Sequence, residues 1–380
     1  MLGLGGTRRP AQAFADARVA AGHLLIDQFL LTNATYDHRC GRGGVTEGTG
    51  MTGELVARKI ADEILFPAAM SVDTGVADLK AHLDLLAAEG FYGLAAPPGV
   101  GTLKVSGRRA ACRVVEELAS GCLTTAFVWV QHHPAVLAAA ASVLPGVRKR
   151  WLAPLVSGRA RAGLAIGATV RQGPATLRAT AVDGGHLLDG EAPWVTGWGL
   201  IDTLYASARN ADDSALWAFL DAVEGDTLRV EPVEMVAVAA SRTVRVVFDR
   251  HFVPTERVAA VQRPERWSQP DAGTLRFNGS LALGVANRCS RLVDDGALRA
   301  QLDACRAALD GADPAGMPPA RAAASELALR AAAALAVATG SRAVLLDNHA
   351  QRLMREATFL LVFGLRPNIR DALLTRLTSA

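Results

Sequence analysis

Residues 182–197 read VDGGHLLDGEAPWVTG. Short apolar runs are cut here by Asp183-Gly184-Gly185 and Asp189-Gly190, residue types that supply the positive φ and local hydrogen bonds of tight turns. The pattern extends over 160–260, with turn chemistry again at Asn210 to Asp213 and at Glu224-Gly225-Asp226. Within it, Thr243-Val244-Arg245-Val246-Val247-Phe248 alternates, so Val244, Val246 and Phe248 share one face of a strand. The turn spacing predicts a sandwich or barrel.

On both sides the periodicity is helical. Over 52–152, Thr52 stands as an N-cap before Leu55, Ile60, Ile64 and Leu65, and Pro67 is expected to end or bend that helix. Leu79, Leu83, Leu86 and Ala87 mark a second helix stopped at Gly90. A third covers about 107–120 with Val114, Val115 and Leu118 inward. A fourth covers about 123–141, and Pro134 cannot donate to the carbonyl of Val130, so this helix must bend. Residues 276–380 are helical again. Ala331 to Val337 is apolar all round and is expected to be buried on every side. Pro314, Pro318 and Pro319 are expected to punctuate a loop. The reading is α+β: a loosely ordered extension over 1–50, whose Gly- and Thr-rich 40–53 looks like linker, then an α-helical domain at 51–157, a β domain at 158–272 and an α-helical domain at 273–380. A ligand is expected where the β domain meets the helices.

Composition narrows the function classes. The 380 residues are 50% hydrophobic and 20% charged, which excludes a disordered chain. Forty basic against 37 acidic residues give no reason to expect a nucleic-acid partner. No uninterrupted apolar run reaches 18 residues, so no membrane partner is expected. Cys40, Cys112, Cys122, Cys289 and Cys305 are scattered and lack metal or redox spacing, which points to no metal site and to a cytoplasmic location. With aromatic residues at only 5%, the core must be filled largely by Ala, Leu and Val.

Several segments resemble the acyl-CoA dehydrogenase superfamily, in its order and over roughly 54–380. They are Ala88-Glu89-Gly90-Phe91-Tyr92-Gly93-Leu94-Ala95-Ala96-Pro97, Val114 to Ala119, Arg150 to Gly158, Leu188-Asp189-Gly190 with Trp194-Val195-Thr196-Gly197, Val247-Phe248-Asp249 with Val253-Pro254, and Gln351 to Ala357. The resemblance implies an N-terminal helical domain, a middle β-barrel or sandwich domain and a C-terminal four-helix-type bundle. It also implies FAD as cofactor and an acyl-CoA or acyl-carrier thioester as the small-molecule substrate, in a homodimer or homotetramer.

The family's flavin-facing W-x-T/S pattern falls on Trp194 and Thr196. An indole supplies a flat wall for an isoalloxazine ring, and a threonine offers a hydroxyl or N–H to a ring heteroatom. In isolation both would read as ordinary strand residues. The resemblance also places Gly197, Gln131, Ser341 and Arg352 toward the cofactor. Other positions depart from the pattern. The second flavin-facing segment, usually L-T-E-P-G-A-G-S-D, reads Leu164 to Gly173 here and has lost its acidic-proline element. The family's acyl-CoA arginine aligns with Ala239, and Ser241 is retained. The usual proton-abstracting glutamate is replaced by Phe363 before Gly364. Glu326, alone among apolar neighbours on its helix, is the substitute base, with a pKa expected to rise on burial or else an ion pair to Arg330. A monooxygenase branch of the fold, working on reduced flavin (FAD or FMN) and oxygen, carries a histidine in the helix equivalent to 123–141, where His132 and His133 stand. The expected function is flavin-dependent oxidation of the CH–CH group of an acyl thioester. Monooxygenation and a non-catalytic partner subunit are the alternatives.

Overall fold

The computed structural model describes residues 51–167, 174–267 and 272–379. The first helical part comprises α1 (Gly53–Ile60), α2 (Phe66–Asp73), α3 (Leu79–Ala88), α4 (Gly107–Gly121), α5 (Leu123–Val130), α6 (His133–Ala141) and α7 (Pro145–Val156). Pro67 does not end the first helix. A π turn at Ala61–Leu65 joins α1 to α2, and Pro67 sits in the first turn of α2, where a missing N–H is tolerated. Gly90 stops the next helix as expected, at φ +78° beyond the Glu89 cap. The predicted bend at Pro134 is present, with α5 and α6 separated at Gln131-His132.

The strands are β1 (Ala162–Ile166), β2 (Leu177–Val182), β3 (Gly185–Val195), β4 (Thr203–Arg209), β5 (Ala215–Asp221), β6 (Leu228–Pro232), β7 (Val244–Pro254) and β8 (Val258–Gln262). They form one eight-stranded sheet in the order β6-β7-β3-β2-β4-β5-β8, with β1 parallel to β4. Its halves are joined between β2 and β4 by the pair Arg178 and Arg209. Leu188, Val246 and Phe248 from one half meet Leu204, Leu216 and Leu220 from the other in one apolar cluster, so the interior is sandwich-like although the ladder is continuous. Val244, Val246 and Phe248 are all buried, as their alternation requires.

The C-terminal part follows a short helix, α8 (Pro264–Trp267), with α9 (Ala272–Val293), α10 (Gly296–Gly311), α11 (Met317–Thr339), α12 (His349–Val362) and α13 (Pro367–Thr378). Pro318 and Pro319 open α11 rather than marking a loop, because proline's fixed φ and missing N–H suit a first helical turn. The segment Ala331 to Val337 is buried on one face only. Ala331, Ala332 and Leu335 point into the bundle, while Val337 is 83% exposed. Met317–Val344 is long and apolar enough, by length and composition, to cross a membrane. It carries buried Arg321 and Glu326, and its inner face packs against α9, α12 and α13. Cys112, Cys122 and Cys289 are free and buried, and Cys305 is free and half-buried. Arg355 on α12 ties the parts together, donating to Asp73 on α2 and, at 2.8 Å, to the carbonyl of Val236 before β7.

Candidate active site

The feature that sets Trp194 apart is a shift in the β3–β7 register. Ala192 pairs with Val246 and Val195 with Val244, so three steps on β3 face two on β7. Strict alternation from buried Ala192 would turn Trp194 inward. The extra residue instead turns Val195 inward and leaves Trp194 55% exposed. A flat indole is thereby presented at the end of the strand.

Directly after it the chain dives into a hydroxyl network. Thr196 is 4% exposed and its Oγ1 lies 3.3 Å from Oγ1 of Thr243, which is 2.9 Å from Oγ of buried Ser241. Gly197 has φ +90°, and its N–H donates to the carbonyl of Ser241 at 2.9 Å. A Cβ there would stand 3.0 Å from Ile201 Cγ2 and 3.2 Å from Val128 Cγ1, so the position needs glycine and lies under α5. Trp198 N–H donates to the carbonyl of Arg242. The turn Ala239–Ser241 is bracketed by Val238 and Arg242, both at φ +50°, a strained conformation for side-chain-bearing residues. Arg242 itself reaches across to Asp78 at 3.3 Å. Thr243 and Arg242 were not singled out by the sequence. The Ser241-Arg242-Thr243 triplet beside Ala239 is the signal that carries them.

Gln131, His132 and His133 form the bend above β1. Gln131 is half-buried. His132 is a fixed structural group: Nδ1 accepts from Ala162 N–H at 3.0 Å, and Nε2 donates to the carbonyl of Leu155 at 3.1 Å. Burial depresses its pKa to about 3, so it is neutral at ordinary pH. His133 is also sealed in, edge-on to Trp129 at 4.5 Å and facing Phe277 at 6.4 Å. Neither of its ring nitrogens has a hydrogen-bond partner, and burial holds its pKa well below the usual range. The expected proton-handling pair is therefore held neutral at neutral pH, away from solvent.

Glu326 corrects another expectation. Burial alone would raise its pKa, but hydrogen bonds from Arg376, at 2.7 Å, and Arg330 outweigh that and hold it below the ordinary value. The carboxylate is a paired anion rather than a poised base. Arg352 is equally internal. It pairs with Glu356, lies 3.3 Å from His349 Nδ1, and stacks over Phe66. Ser341 is exposed on the turn after α11. Trp194, Thr196 and Gly197 are thus contiguous and lie beneath the helix leading to Gln131, whereas Glu326, Ser341 and Arg352 belong to the C-terminal helices. Of the second flavin-facing segment, Leu164 to Gly167 is in and just after β1, and 168–173 lie outside the described residues.

Phe363, where the resemblance implied a glutamate, belongs to an aromatic trio. Phe363 meets Phe127 edge-on at 5.1 Å and stacks on Phe359 at 5.4 Å, and Phe127 meets Phe359 at 4.9 Å. Arg321 approaches the carbonyls of Leu360 and Phe363 at 3.4 Å from beneath. For a flavin the fit is divided. Trp194, Thr196 and Gly197 suit the ring system. The long R-x-x-F-G helix that would reach a dinucleotide tail is missing from the sequence after Arg288.

Comparisons with known proteins agree with this architecture. The family model for the acyl-CoA dehydrogenase N-terminal domain matches residues 52–159. By that domain match and by its fold, the chain is similar to the acyl-CoA dehydrogenase superfamily. A curated relative, benzylmalonyl-CoA dehydrogenase of Aromatoleum aromaticum, is 28% identical over 241 residues, which span 60% of this chain and 62% of that protein. Butyryl-CoA dehydrogenase of Megasphaera elsdenii shares the fold with a TM-score of 0.71 at 16% identity, over 87% of this chain and 98% of its own. PigA, solved with FAD and proline, does so with a TM-score of 0.72 at 16% identity, over 87% and 98%.

Proposed function

We propose that the chain is a flavin-dependent oxidoreductase that takes the isoalloxazine ring of FAD, or of FMN, against Trp194 and acts on an acyl thioester. The observation that carries the reading is the register shift in β3, which exposes Trp194 beside the Thr196–Thr243–Ser241 hydroxyls. A bound flavin would supply a two-electron acceptor. The chain's part is to stack the ring on Trp194, to hydrogen-bond it through the free valence of Thr196 or nearby backbone N–H groups, and to exclude water with α5. The CoA thioester named for the curated relative supports the substrate class. Absorbance of the purified protein, and titration of the flavin-free chain with FAD and with FMN, test the reading. Binding that survives Trp194→Ala unchanged would remove it.

A second reading has its own observation. The Phe127–Phe359–Phe363 trio fills the place where an α-proton would be taken, and Glu326 is committed to two arginines. This favours a subunit that holds flavin or thioester without dehydrogenating it. Anaerobic bleaching of bound flavin by acyl-CoA would exclude this second reading. Monooxygenation draws less support, since His132 and His133 are sealed and neutral. A homodimer or homotetramer fits the exposed apolar side chains Val337, Val344 and Leu346, each at least 80% exposed.

A further inference from the structure

The loop between β6 and β7 holds two strained residues within five positions. Val238 lies at φ +50° and ψ +31°, and Arg242 at φ +50° and ψ +46°. This left-handed region is uncommon for residues with side chains and a true outlier for a β-branched one. Val238 is nonetheless fully buried, in the same apolar cluster as Leu200 and Leu123. Such a conformation persists only where its surroundings over-determine it. The restraints on this loop therefore show what its shape is held for.

At the end of the turn, the carbonyls of Ser241 and Arg242 accept from Gly197 and Trp198 N–H at 2.9 and 3.1 Å, and the Ser241 hydroxyl meets Thr243. The Arg242–Asp78 pair is about half exposed on both sides and adds little. Before the turn, the carbonyl of Val236 accepts from Arg355 Nη1 at 2.8 Å. Val236 is itself exposed, so its side chain supplies no anchor. Arg355 is engaged at all three nitrogens. Nε donates to Gln351 Oε1 at 2.8 Å, and Nη1 and Nη2 both donate to Asp73. The Asp73 side chain is only 8% exposed and stands at the C-terminus of α2, where a carboxylate opposes the helix dipole and needs a cation beside it. Two helices thus set the ion pair, and the loop hangs on it. Arg355, Phe359 and Phe363 follow at four-residue spacing, so one side of α12 carries this grip at one end and the contacts with Phe127 at the other.

We propose that Asp73 and Arg355 are positioning residues for the Trp194 site. Their grip on Val236 holds the strained turn, and the turn holds the Ser241–Thr243–Thr196 hydroxyls and the backbone of Gly197 and Trp198 in place. The effect on flavin rests on the reading above; the hold on the loop does not. The test is Arg355→Lys in the full chain. Lysine keeps the charge beside Asp73 but lacks the planar fork that serves Asp73 and the Val236 carbonyl together. Amide hydrogen exchange, read by mass spectrometry, is expected to rise about tenfold or more in peptides carrying the Gly197, Trp198, Ser241 and Arg242 amides, with α9 peptides unchanged. FAD and FMN affinity are expected to fall about tenfold on the same preparation. Adding Val238→Gly removes the left-handed penalty, so affinity is expected to return to within about threefold of Val238→Gly alone. General destabilisation would not be rescued in this way. Arg330→Lys, which alters an ion pair elsewhere in the C-terminal helices, is expected to change neither readout. Asp73→Asn is expected to loosen the same amides and serves if Arg355→Lys does not fold. Exchange equal to the parent's in the folded variants, or an affinity loss that Val238→Gly does not recover, overturns the proposal. Flavin uptake by Arg355→Lys equal to the parent's overturns it too and leaves the flavin reading intact. A parent chain that takes up no flavin removes the flavin reading, and the exchange result alone then decides the positioning role.

Discussion

Phe127 on α5 and Phe363 just after α12 meet edge to face at 5.1 Å, closing the interior where the resemblance led the sequence to expect a carboxylate. The contact joins the first helical part to the last, and its loss is felt in both stability and chemistry. Phe363→Glu is expected to lower stability by about 2 kcal/mol, because a carboxyl is set among rings. If only the base is missing, the variant gains anaerobic bleaching by acyl-CoA at least about tenfold above the parent chain. A variant that retains flavin but does not bleach shows that substrate alignment is lost as well.

Trp194 is more than half exposed and makes little of the core. Trp194→Ala is expected to change stability by less than about 1 kcal/mol while weakening flavin binding by about tenfold, the scale of losing one aromatic stacking partner. Thermal melts and flavin titration on the same preparation separate the two effects.

The Glu326 carboxylate has a folded-state pKa below its unfolded value. Its ion pairs therefore contribute stability above about pH 4.5, and that contribution is lost as pH falls through the depressed value. Glu326→Gln is expected to cost about 1 kcal/mol at pH 7, with the gap to the parent chain closing as the pH falls through the depressed value. Flavin reduction should be unaffected at pH 7. A kinetic loss at intact stability would instead make Glu326 a base.

His132 also loses stability toward acid, but over a window that opens at higher pH. The fold keeps it neutral down to about 3, whereas the unfolded chain takes up a proton near 6.5. Its neutral form is fully compatible with folding above that pH, and stability falls as pH drops from about 6.5. His132→Gln leaves the Ala162 N–H without its acceptor at a cost of about 1–3 kcal/mol at pH 7. Because the variant no longer titrates, its deficit should shrink between pH 7 and pH 5. A pH-independent gap would contradict the assignment.

Val344→Glu combined with Leu346→Glu is expected to shift the chain toward monomer by more than tenfold, since two charges would be buried in any contact made there. Light scattering after size-exclusion chromatography reads the mass. A parent chain already monomeric at micromolar concentration would rule out self-association through this patch.

The sequence made the layers legible because periodicity is a local property. Gly90, Pro134 and the 243–248 alternation each acted within a few residues of where they stand. Pro67 was misread because the compensating π turn lies before it and is invisible to a proline rule. For Glu326 the ion pair to Arg330 was legible at four residues' spacing, but the second pair, to Arg376 fifty positions away, forms only after folding. Burial of His132 likewise depends on Leu155 and Ala162, two elements distant in the chain. Trp194 and Thr196 could be picked out by resemblance, but the exposure of one and burial of the other follow from a register shift against β7 that no single strand reveals.

That shift makes β3 a strand with two phases. Even-numbered Leu188 and Ala192 face inward before it, and odd-numbered Val195 faces inward after it. The strand should therefore tolerate exchanges of side chain far better than changes of length. Adding or removing one residue between Ala192 and Val195 would alter which side chains the whole following loop presents, Thr196 and Gly197 included, without replacing any of them.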